Sequence, residues 1–338
     1  MTKNEGINLI TNEDLLILGK QANDIKQKNF GNVTTFIIDR NINYTNICQN
    51  ECDFCAFFRR KKQKSAYLLS HEEILEKVGE AVNLGATQVM IQGGLNPELG
   101  LDYYEKMLRL IKSKFKITIH SFTATEIQYF AKLEGISILD VLKRLQEAGL
   151  DSLPGGGAEI LVDEVRKKIS PKKISSYDWL NVMKLAHSIG MKSTATMVIG
   201  FGETLEQRIE HMDKIRELQK ETNGFRAFIM WSFQPNNTKL GGEKASAWDY
   251  MKTLATSRIY LDNIEHIQGS WVTQGERIGQ LTLNFGADDL GSIMLEENVV
   301  RAAGTSYEMS VEKMLNLIRD TGNFPAQRDT EYKILKRF

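Results

Sequence analysis

The three cysteines of the chain, Cys48, Cys52 and Cys55, all lie within eight consecutive residues. Three thiolates on one loop can converge on a single inorganic centre. Zinc would need a fourth ligand, and the nearest downstream histidine, His71, is sixteen residues beyond Cys55. Iron–sulfur clusters normally take four thiolates, so three thiolates on a four-iron cluster leave one iron open to a substrate. A buried thiol cluster and an opportunistic zinc site are the alternatives.

The elements around this loop alternate between strands and helices. Short apolar, β-branched runs predict strands at 34–39, 88–92, 116–120, 193–199 and 226–231, with weaker candidates near Ser152, at 266–271 and at 281–285. Apolar residues at three-and-four spacing predict helices at 71–84, 101–115, 137–148, 177–189 and 205–221. About eight strand–helix units at roughly 30-residue intervals favour an α/β fold, a parallel (β/α)8 barrel of the TIM type, over an open sheet.

The pattern predicts one domain over residues 1–338, because no linker rich in proline, glycine or serine divides the chain. We expect a helical lead-in at 1–32, a barrel core at 33–285 and a C-terminal closing segment at 286–338. The closing segment should contain a helix over Val311–Arg319.

Composition excludes several classes of partner. Lysine plus arginine and aspartate plus glutamate are both 43, so the net charge is zero, and nucleic acid is not an expected partner. No run of about 18 apolar residues predicts a membrane span, and the first residues do not resemble a signal peptide. An odd number of crowded cysteines cannot form a disulfide framework. We therefore expect a cytoplasmic protein with no membrane partner.

The spacing C-x3-C-x2-C, with the aromatic Phe54 before the last cysteine, resembles the signature of radical S-adenosylmethionine enzymes. The resemblance implies that the three cysteines bind a [4Fe-4S] cluster whose open iron holds the amine and carboxylate of S-adenosylmethionine. It also implies cofactor contacts from the cysteine loop and from turns at strand ends, namely Phe54, Gln92, Gly93, Gly94, Glu159, Gly200 and Gly202. Leu95 replaces the acidic residue of the family, so only backbone contacts of Gly93 and Gly94 carry over. A buried Glu159 would need a partner, such as a ribose diol or the methionine ammonium.

Longer stretches, among them 41–48, 148–161 and 285–291, resemble the futalosine-pathway enzymes of menaquinone biosynthesis. Gln92 and residues 229–235 are most similar to the cyclic dehypoxanthinyl futalosine synthase group. This resemblance implies an enzyme whose 5′-deoxyadenosyl radical removes the C4′ hydrogen of the small molecule dehypoxanthine futalosine. The carbon radical would close onto the benzoate ring, and loss of an electron and a proton would restore aromaticity. Aminofutalosine synthase, a deazaflavin (FO) synthase type of enzyme and a non-catalytic metal-cluster scaffold are the alternatives.

The implied reaction needs further groups that the sequence only narrows down. The final deprotonation needs a base, and the candidates at strand ends are His120, Glu126, Asp288 and Asp289. The benzoate needs a hydrogen-bond donor, and the candidates are Arg226, Ser232 and Gln234. The basic run 59–64 beside the cysteines could dock an acidic electron donor such as flavodoxin or ferredoxin, although such runs are usually solvated loops.

Overall fold

The computed structural model describes residues 1–338, and a ring of parallel strands forms its centre. The strands are β1 (Val33–Ile37), β2 (Asp39–Asn43), β3 (Gln88–Gln92), β4 (Thr118–Ser121), β5 (Ser193–Ile199), β6 (Phe225–Ser232), β7 (His266–Gln268), β8 (Asp289–Ser292), β9 (Phe324–Arg328) and β10 (Ile334–Arg337). The helices are α1 (Lys3–Asn12), α2 (Leu15–Phe30), α3 (His71–Asn83), α4 (Leu101–Lys114), α5 (Ala124–Glu134), α6 (Ile138–Ala148), α7 (Asp163–Ile169), α8 (Ser176–Ser188), α9 (Leu205–Thr222), α10 (Ala247–Tyr260), α11 (Glu276–Leu281), α12 (Val299–Ala302) and α13 (Val311–Arg319).

Two sheets join into a closed barrel. One has the strand order β10-β9-β1-β8-β7-β6-β5 and the other β2-β3-β4. Only Ile38 separates β1 from β2, so the first barrel strand crosses from one sheet to the other. At the opposite seam, single parallel bridges join His120 to Ser152 and Leu153 to Ser193. Ser152 and Leu153 therefore occupy the strand position between β4 and β5, and the predicted (β/α)8 barrel is confirmed.

Most of the strands and helices that the sequence pattern predicted lie within two residues of the observed bounds, and the best match is at strands β3 and β5. Its prediction of a strand at 281–285 was wrong, because this stretch ends α11 and continues as a 3-10 helix over Thr282–Asn284. The eighth barrel strand is instead β8, so the barrel continues past the predicted boundary at residue 285. This strand begins with a buried aspartate, Asp289, whose partner Arg328 lies 39 residues away. Local alternation therefore could not reveal the strand.

The helix α10 was also missed, for a different reason. Its buried residues lie all around the helix and include Thr253, Thr256 and Ser257, so no single apolar stripe marks it. The predicted capping box at Ser70 and Glu73 is present at the start of α3. The predicted helix over Val311–Arg319 is α13.

The C-terminal segment closes the amino-terminal end of the barrel. Strand β9 pairs in parallel with β1, and β10 pairs antiparallel with β9. Beyond β9, the Thr330 hydroxyl donates to Gln88 Oε1 at 2.9 Å, and the Tyr332 ring stacks on His266 with the ring centroids 3.6 Å apart. Gln88 and His266 begin β3 and β7, so these contacts plug the end opposite to that expected for chemistry. None of the helices is both long and apolar enough to cross a membrane.

Candidate active site

A cavity of about 290 Å³ opens at the carboxyl-terminal end of the barrel strands. Asn43 and Gln92, the last residues of β2 and β3, line it, as do Trp231 and Ser232 at the end of β6. Catalytic groups of TIM-type barrels come from this end, because the loops that follow the strands meet there. The cavity is therefore the candidate active site.

All three cysteines line this cavity, and backbone hydrogen bonds hold their loop in place. The Cys48 amide donates to the Arg59 carbonyl at 3.1 Å, and the Cys55 amide donates to the Cys52 carbonyl at 3.1 Å. The Arg59 guanidinium closes the loop by donating to the carbonyls of Ala56 and Phe58 at 2.9 and 2.8 Å. The first basic residue of run 59–64 is thus part of the loop and not a free surface charge.

The pKa values of the thiols indicate which kind of metal centre the site can bind. Burial raises the pKa of the Cys52 thiol to about 11, although the nearby Lys173 ammonium opposes this effect, and burial also raises the pKa of Cys55. Metal binding requires thiolates, so a centre that binds here must supply positive charge. No three His, Cys, Asp or Glu side chains converge closely enough to hold one metal ion, which disfavours mononuclear zinc. A four-iron cluster binds its thiolates at separate corners, and no fourth cysteine or histidine lines the cavity.

The predicted glycine turn packs directly against the cysteine loop. A Cβ atom at Gly94 would lie 2.2 Å from the Ile47 carbonyl oxygen, and one at Gly93 would lie 2.4 Å from the Tyr44 ring. The Gly94 amide donates to the Thr45 carbonyl at 3.0 Å. These glycines therefore permit a close approach between two backbone segments, and both segments line the cavity.

Glu126 fixes this turn from beneath. Its Oε1 accepts from the Tyr44 hydroxyl at 2.7 Å and from the Gly93 amide at 3.1 Å. Its Oε2 accepts from the amide and the hydroxyl of Thr123 at 2.7 and 2.9 Å, within the capping box of α5. Burial raises the pKa of this carboxyl. Among the predicted bases, Glu126 alone lines the cavity.

Glu159 also lines the cavity, but its partners belong to the protein. Its Oε1 accepts from Lys173 Nζ at 2.7 Å, and its Oε2 lies 3.7 Å from Arg166 Nη1. Lys173 also lies 5.3 Å from the centre of the Phe54 ring. Burial lowers the pKa of Lys173, but Glu159 and Cys52 outweigh it and raise the pKa above its ordinary value. Lys173 and Arg166 thus hold Glu159 beside the cysteines, and Arg166 also lies 3.9 Å from Asp163.

An aromatic wall completes the cavity. Phe54 contacts Phe201 with ring centroids 5.4 Å apart, and Phe201 contacts Phe233 at 4.9 Å. Gly200 and Gly202, predicted as cofactor contacts, do not line the cavity. Both have positive φ, and the turn they form is held by Glu203, which accepts from the Gly200 and Phe201 amides. Phe201, which lies between these two glycines, lines the cavity.

His120 and Asp289 do not line this cavity, which corrects their expected placement. His120 Nδ1 bonds Ser152 Oγ at 2.6 Å, and its side chain faces a second cavity deeper in the barrel. Burial and the nearby Arg226 hold the pKa of His120 well below its usual range. Asp289 accepts two hydrogen bonds from Arg328, at 2.6 and 3.1 Å, and is fully buried. A partner distant in sequence therefore holds Nδ1 of His120 and both carboxylate oxygens of Asp289.

The other predicted donors divide between the two cavities. Ser232 and Gln234 line the upper cavity, whereas Arg226 lines the deeper one.

Two polar groups that sequence analysis missed, Asn43 and Thr125, also line the upper cavity. Their oxygens Oδ1 and Oγ1 are buried without a hydrogen-bond partner. Buried polar atoms without partners are rare, so these two oxygens fit a polar ligand. The available signal was position, since Asn43 ends a strand and Thr125 lies in the first turn of a helix.

Two family models match the chain. One, for the radical SAM superfamily, covers residues 42–215, and one described as the CofH/MqnC C-terminal region covers residues 222–337. The chain is 46% identical over 341 residues to a cyclic dehypoxanthine futalosine synthase of Halalkalibacterium halodurans, covering 100% of this chain and 92% of that protein. It is 44% identical to a synthase of the same name from Streptomyces coelicolor, with 99% and 86% covered.

A third relative has a different name. It is a 5-amino-6-(D-ribitylamino)uracil–L-tyrosine 4-hydroxyphenyl transferase of Archaeoglobus fulgidus, 42% identical over 320 residues, with 93% of this chain and 92% of that protein covered. Among solved structures, the FeFe-hydrogenase maturase HydG from Carboxydothermus hydrogenoformans has the same fold. Its TM-score is 0.78 at 19% identity, with 98% of this chain and 77% of that chain covered. The three thiols at the mouth of the barrel and these matches lead to one conclusion: the chain belongs to the radical SAM superfamily, in the branch that carries the CofH/MqnC C-terminal region.

Proposed function

We propose that the protein is a cyclic dehypoxanthine futalosine synthase, an enzyme of menaquinone biosynthesis. The observation that carries this proposal is similarity over the full length, at 46% and 44% identity, to two synthases of that name. The cavity supports it, because three thiols and no fourth cysteine or histidine line it beside polar atoms that lack partners.

The residues of the upper cavity suit a [4Fe-4S] cluster and S-adenosylmethionine. Cys48, Cys52 and Cys55 would hold three irons, which leaves the fourth for the methionine moiety. Asn43 and Thr125 offer unpaired oxygens, and Lys173 supplies a cation whose charge acts on Cys52. When bound, the cluster and S-adenosylmethionine supply the 5′-deoxyadenosyl radical that abstracts the C4′ hydrogen of dehypoxanthine futalosine.

The protein contributes geometry and protection. The aromatic wall of Phe54, Phe201 and Phe233 gives one side of the cavity an apolar lining, which would limit quenching of a reactive species by water there. Glu126 is the candidate for the final deprotonation of the ring, because it is the predicted base that lines the cavity.

Product analysis tests the proposed function. Protein reconstituted without oxygen is incubated with S-adenosylmethionine, dithionite and dehypoxanthine futalosine. We expect free 5′-deoxyadenosine and a cyclised product that has lost two hydrogens, and we expect Cys52→Ala to abolish both. The control is Ser188→Ala at the exposed end of α8, far from the cavity. Cleavage of S-adenosylmethionine without a cyclised product would refute the assignment.

The transferase from Archaeoglobus fulgidus supports a second candidate, because it is 42% identical over 93% of this chain. The same reconstituted protein is therefore incubated with L-tyrosine and 5-amino-6-(D-ribitylamino)uracil. A coupled product in this reaction, with none from dehypoxanthine futalosine, would favour the transferase. An adenosyl adduct with no free 5′-deoxyadenosine would instead favour an aminofutalosine synthase. If S-adenosylmethionine is not cleaved under any of these conditions, the result would favour a non-catalytic scaffold.

We also propose that an acidic electron donor such as flavodoxin or ferredoxin docks beside the cysteines, in the cytoplasm, where free thiols persist. Within run 59–64, Arg60 and Lys61 pair with Glu51 and Glu98, while Lys62 and Lys64 are exposed and form no ion pair. The double variant Lys62→Glu/Lys64→Glu should lower flavodoxin-driven turnover and leave dithionite-driven turnover intact. The matched control is Lys20→Glu/Lys28→Glu on α2, and equal losses with both reductants would discard the docking surface.

A further inference from the structure

A second cavity, of about 100 Å³, lies deeper in the barrel, between the active site and the C-terminal plug. Gln92, Gly156 and Trp231 line both cavities, so the two adjoin. Arg226 and His120 line the deeper one. This volume exceeds what one water molecule needs, and the lining is too polar to remain dry.

Arg226 is the unusual group in this cavity. Its side chain is only 9% exposed, yet its Nε and Nη2 atoms are buried without a hydrogen-bond partner. Its Nη1 alone is occupied, by Glu331, whose side chain is 64% exposed at the plugged end. Leaving charged donors buried and unpaired is costly, so such an arrangement calls for an unseen partner.

The unpaired edge has a defined chemical preference. Nε and Nη2 form the side of a guanidinium that binds both oxygens of one carboxylate. Elsewhere in the chain this same edge holds carboxylates. Arg216 binds Asp262 at 2.9 and 2.9 Å, and Arg328 binds Asp289 at 2.6 and 3.1 Å. Arg226 has the same fork without a carboxylate, and its side chain lines the deeper cavity.

The other acid in the cavity is already engaged. Asp39 lines it, but its carboxyl accepts from the Gln88 amide at 2.8 Å and from the Ser292 hydroxyl, and it forms no ion pair with Arg226. Burial raises the pKa of Asp39, although its hydrogen bonds with Ser292 and Gln88 oppose this effect. His120 bonds Ser152 through Nδ1, which leaves Nε2 for a ligand.

We propose that the deeper cavity is a carboxylate subsite, in which the free Nε and Nη2 of Arg226 bind the benzoate carboxylate of the substrate. This inference rests on the proposed function and names the group that anchors the substrate. Strand β6 supplies Arg226 and Ile229 to the deeper cavity and Trp231 to both. A substrate anchored at Arg226 therefore extends past Ile229 and Trp231 toward the cysteines.

The test compares dehypoxanthine futalosine with its carboxamide, which has the same shape without the charge. In the wild-type enzyme the acid should have a KM about 10- to 100-fold below that of the carboxamide, the range expected for a charge-assisted pair. Arg226→Gln should raise the KM of the acid by a similar factor and change that of the carboxamide little. The matched control, Arg216→Gln, removes an arginine whose fork is filled by Asp262, and its KM values should equal those of the wild type.

Each outcome decides the proposal. Equal KM values for acid and carboxamide in the wild type would overturn it, even if Arg226→Gln fails to fold. Equal effects of Arg226→Gln on both compounds would overturn it as well. If bromide soaked into a crystal binds at Arg226 while the KM of the acid is unchanged in Arg226→Gln, the site binds an adventitious ion only and the proposal is overturned. No turnover of dehypoxanthine futalosine by the wild type would instead refute the proposed function, with the subsite then judged by calorimetric binding of benzoate against benzamide.

Discussion

Replacing Gly94 with alanine should displace the cysteine loop while leaving the barrel folded. The new Cβ would lie 2.2 Å from the Ile47 carbonyl oxygen and 2.8 Å from Cys48 Cβ. These atoms are backbone or the first side-chain atom of a cluster cysteine, so no flexible group can yield. Relief requires the turn and the loop to separate by about 1 Å, and overpacking of this kind typically costs about 1–3 kcal/mol of unfolding free energy.

The functional effect should exceed the effect on stability. A displacement of about 1 Å in a group that positions reactants can cost about 100-fold in rate. We therefore expect 5′-deoxyadenosine formation to fall by roughly that factor in Gly94→Ala. Iron content and the visible absorbance of the reconstituted protein should fall with it, while circular dichroism should show a native fold.

The matched control is Gly79→Ala, the same chemical change in α3. Its Cβ would meet only the Phe115 ring at 3.4 Å, and alanine in a helix is favoured over glycine by about 1 kcal/mol. This variant should unfold at the same or a higher temperature and keep full activity. Wild-type iron content and wild-type 5′-deoxyadenosine formation in Gly94→Ala would refute the argument that the two segments require a glycine for their contact.

Three further predictions follow from buried titratable groups. Glu126→Gln should lower the yield of cyclised product more than that of 5′-deoxyadenosine, measured in one assay; a parallel fall in both would limit Glu126 to holding the Gly93 turn. Asp289→Asn leaves the Arg328 guanidinium buried and unpaired, so urea denaturation should show a loss of about 3–5 kcal/mol, whereas unchanged stability would contradict a structural ion pair. Burial lowers the pKa of His187 to about 4 and of His211 to about 3, so the unfolded chain binds protons that the folded protein does not. Stability should be complete above pH of about 6.5 and fall as the pH drops toward 4, by up to about 1.4 kcal/mol per pH unit for each histidine; a flat profile, or no smaller slope in His211→Gln, would refute this assignment.

The chemistry of the site and most of its scaffold could be predicted from local patterns. Cys48, Cys52 and Cys55 are close in sequence, so their shared cavity follows from the loop that contains them. Helices and strands were located by apolar periodicity and by caps such as that of Ser70, which act within a few residues. The helices α5, α7 and α10 and the strands β8, β9 and β10 were not located from the sequence. The buried residues of α10 lie all around the helix, and β8 begins with Asp289, which is buried against the distant Arg328.

The roles of single polar residues could not be predicted in the same way. Glu126, His120 and Asp289 were equal candidates for a base in the sequence. Glu126 faces the cavity, His120 bonds Ser152 deeper in the barrel, and Asp289 is bound by Arg328. Ser152 and Arg328 are more than thirty residues from the groups that they bind. Whether a side chain faces the cavity also depends on the direction in which it leaves its strand or helix, which the sequence does not show.

The sequence by itself therefore determined the reactive centre and the barrel class, because both arise from spacings within a single loop, helix or strand. Only the tertiary structure decided which carboxylates are paired, which oxygens are left without partners, and that Arg226 presents an unfilled fork beneath the active site. The physical reason is that burial and hydrogen-bond satisfaction depend on closure of the barrel, which brings together groups from β6, β8 and the C-terminal plug that no local pattern connects.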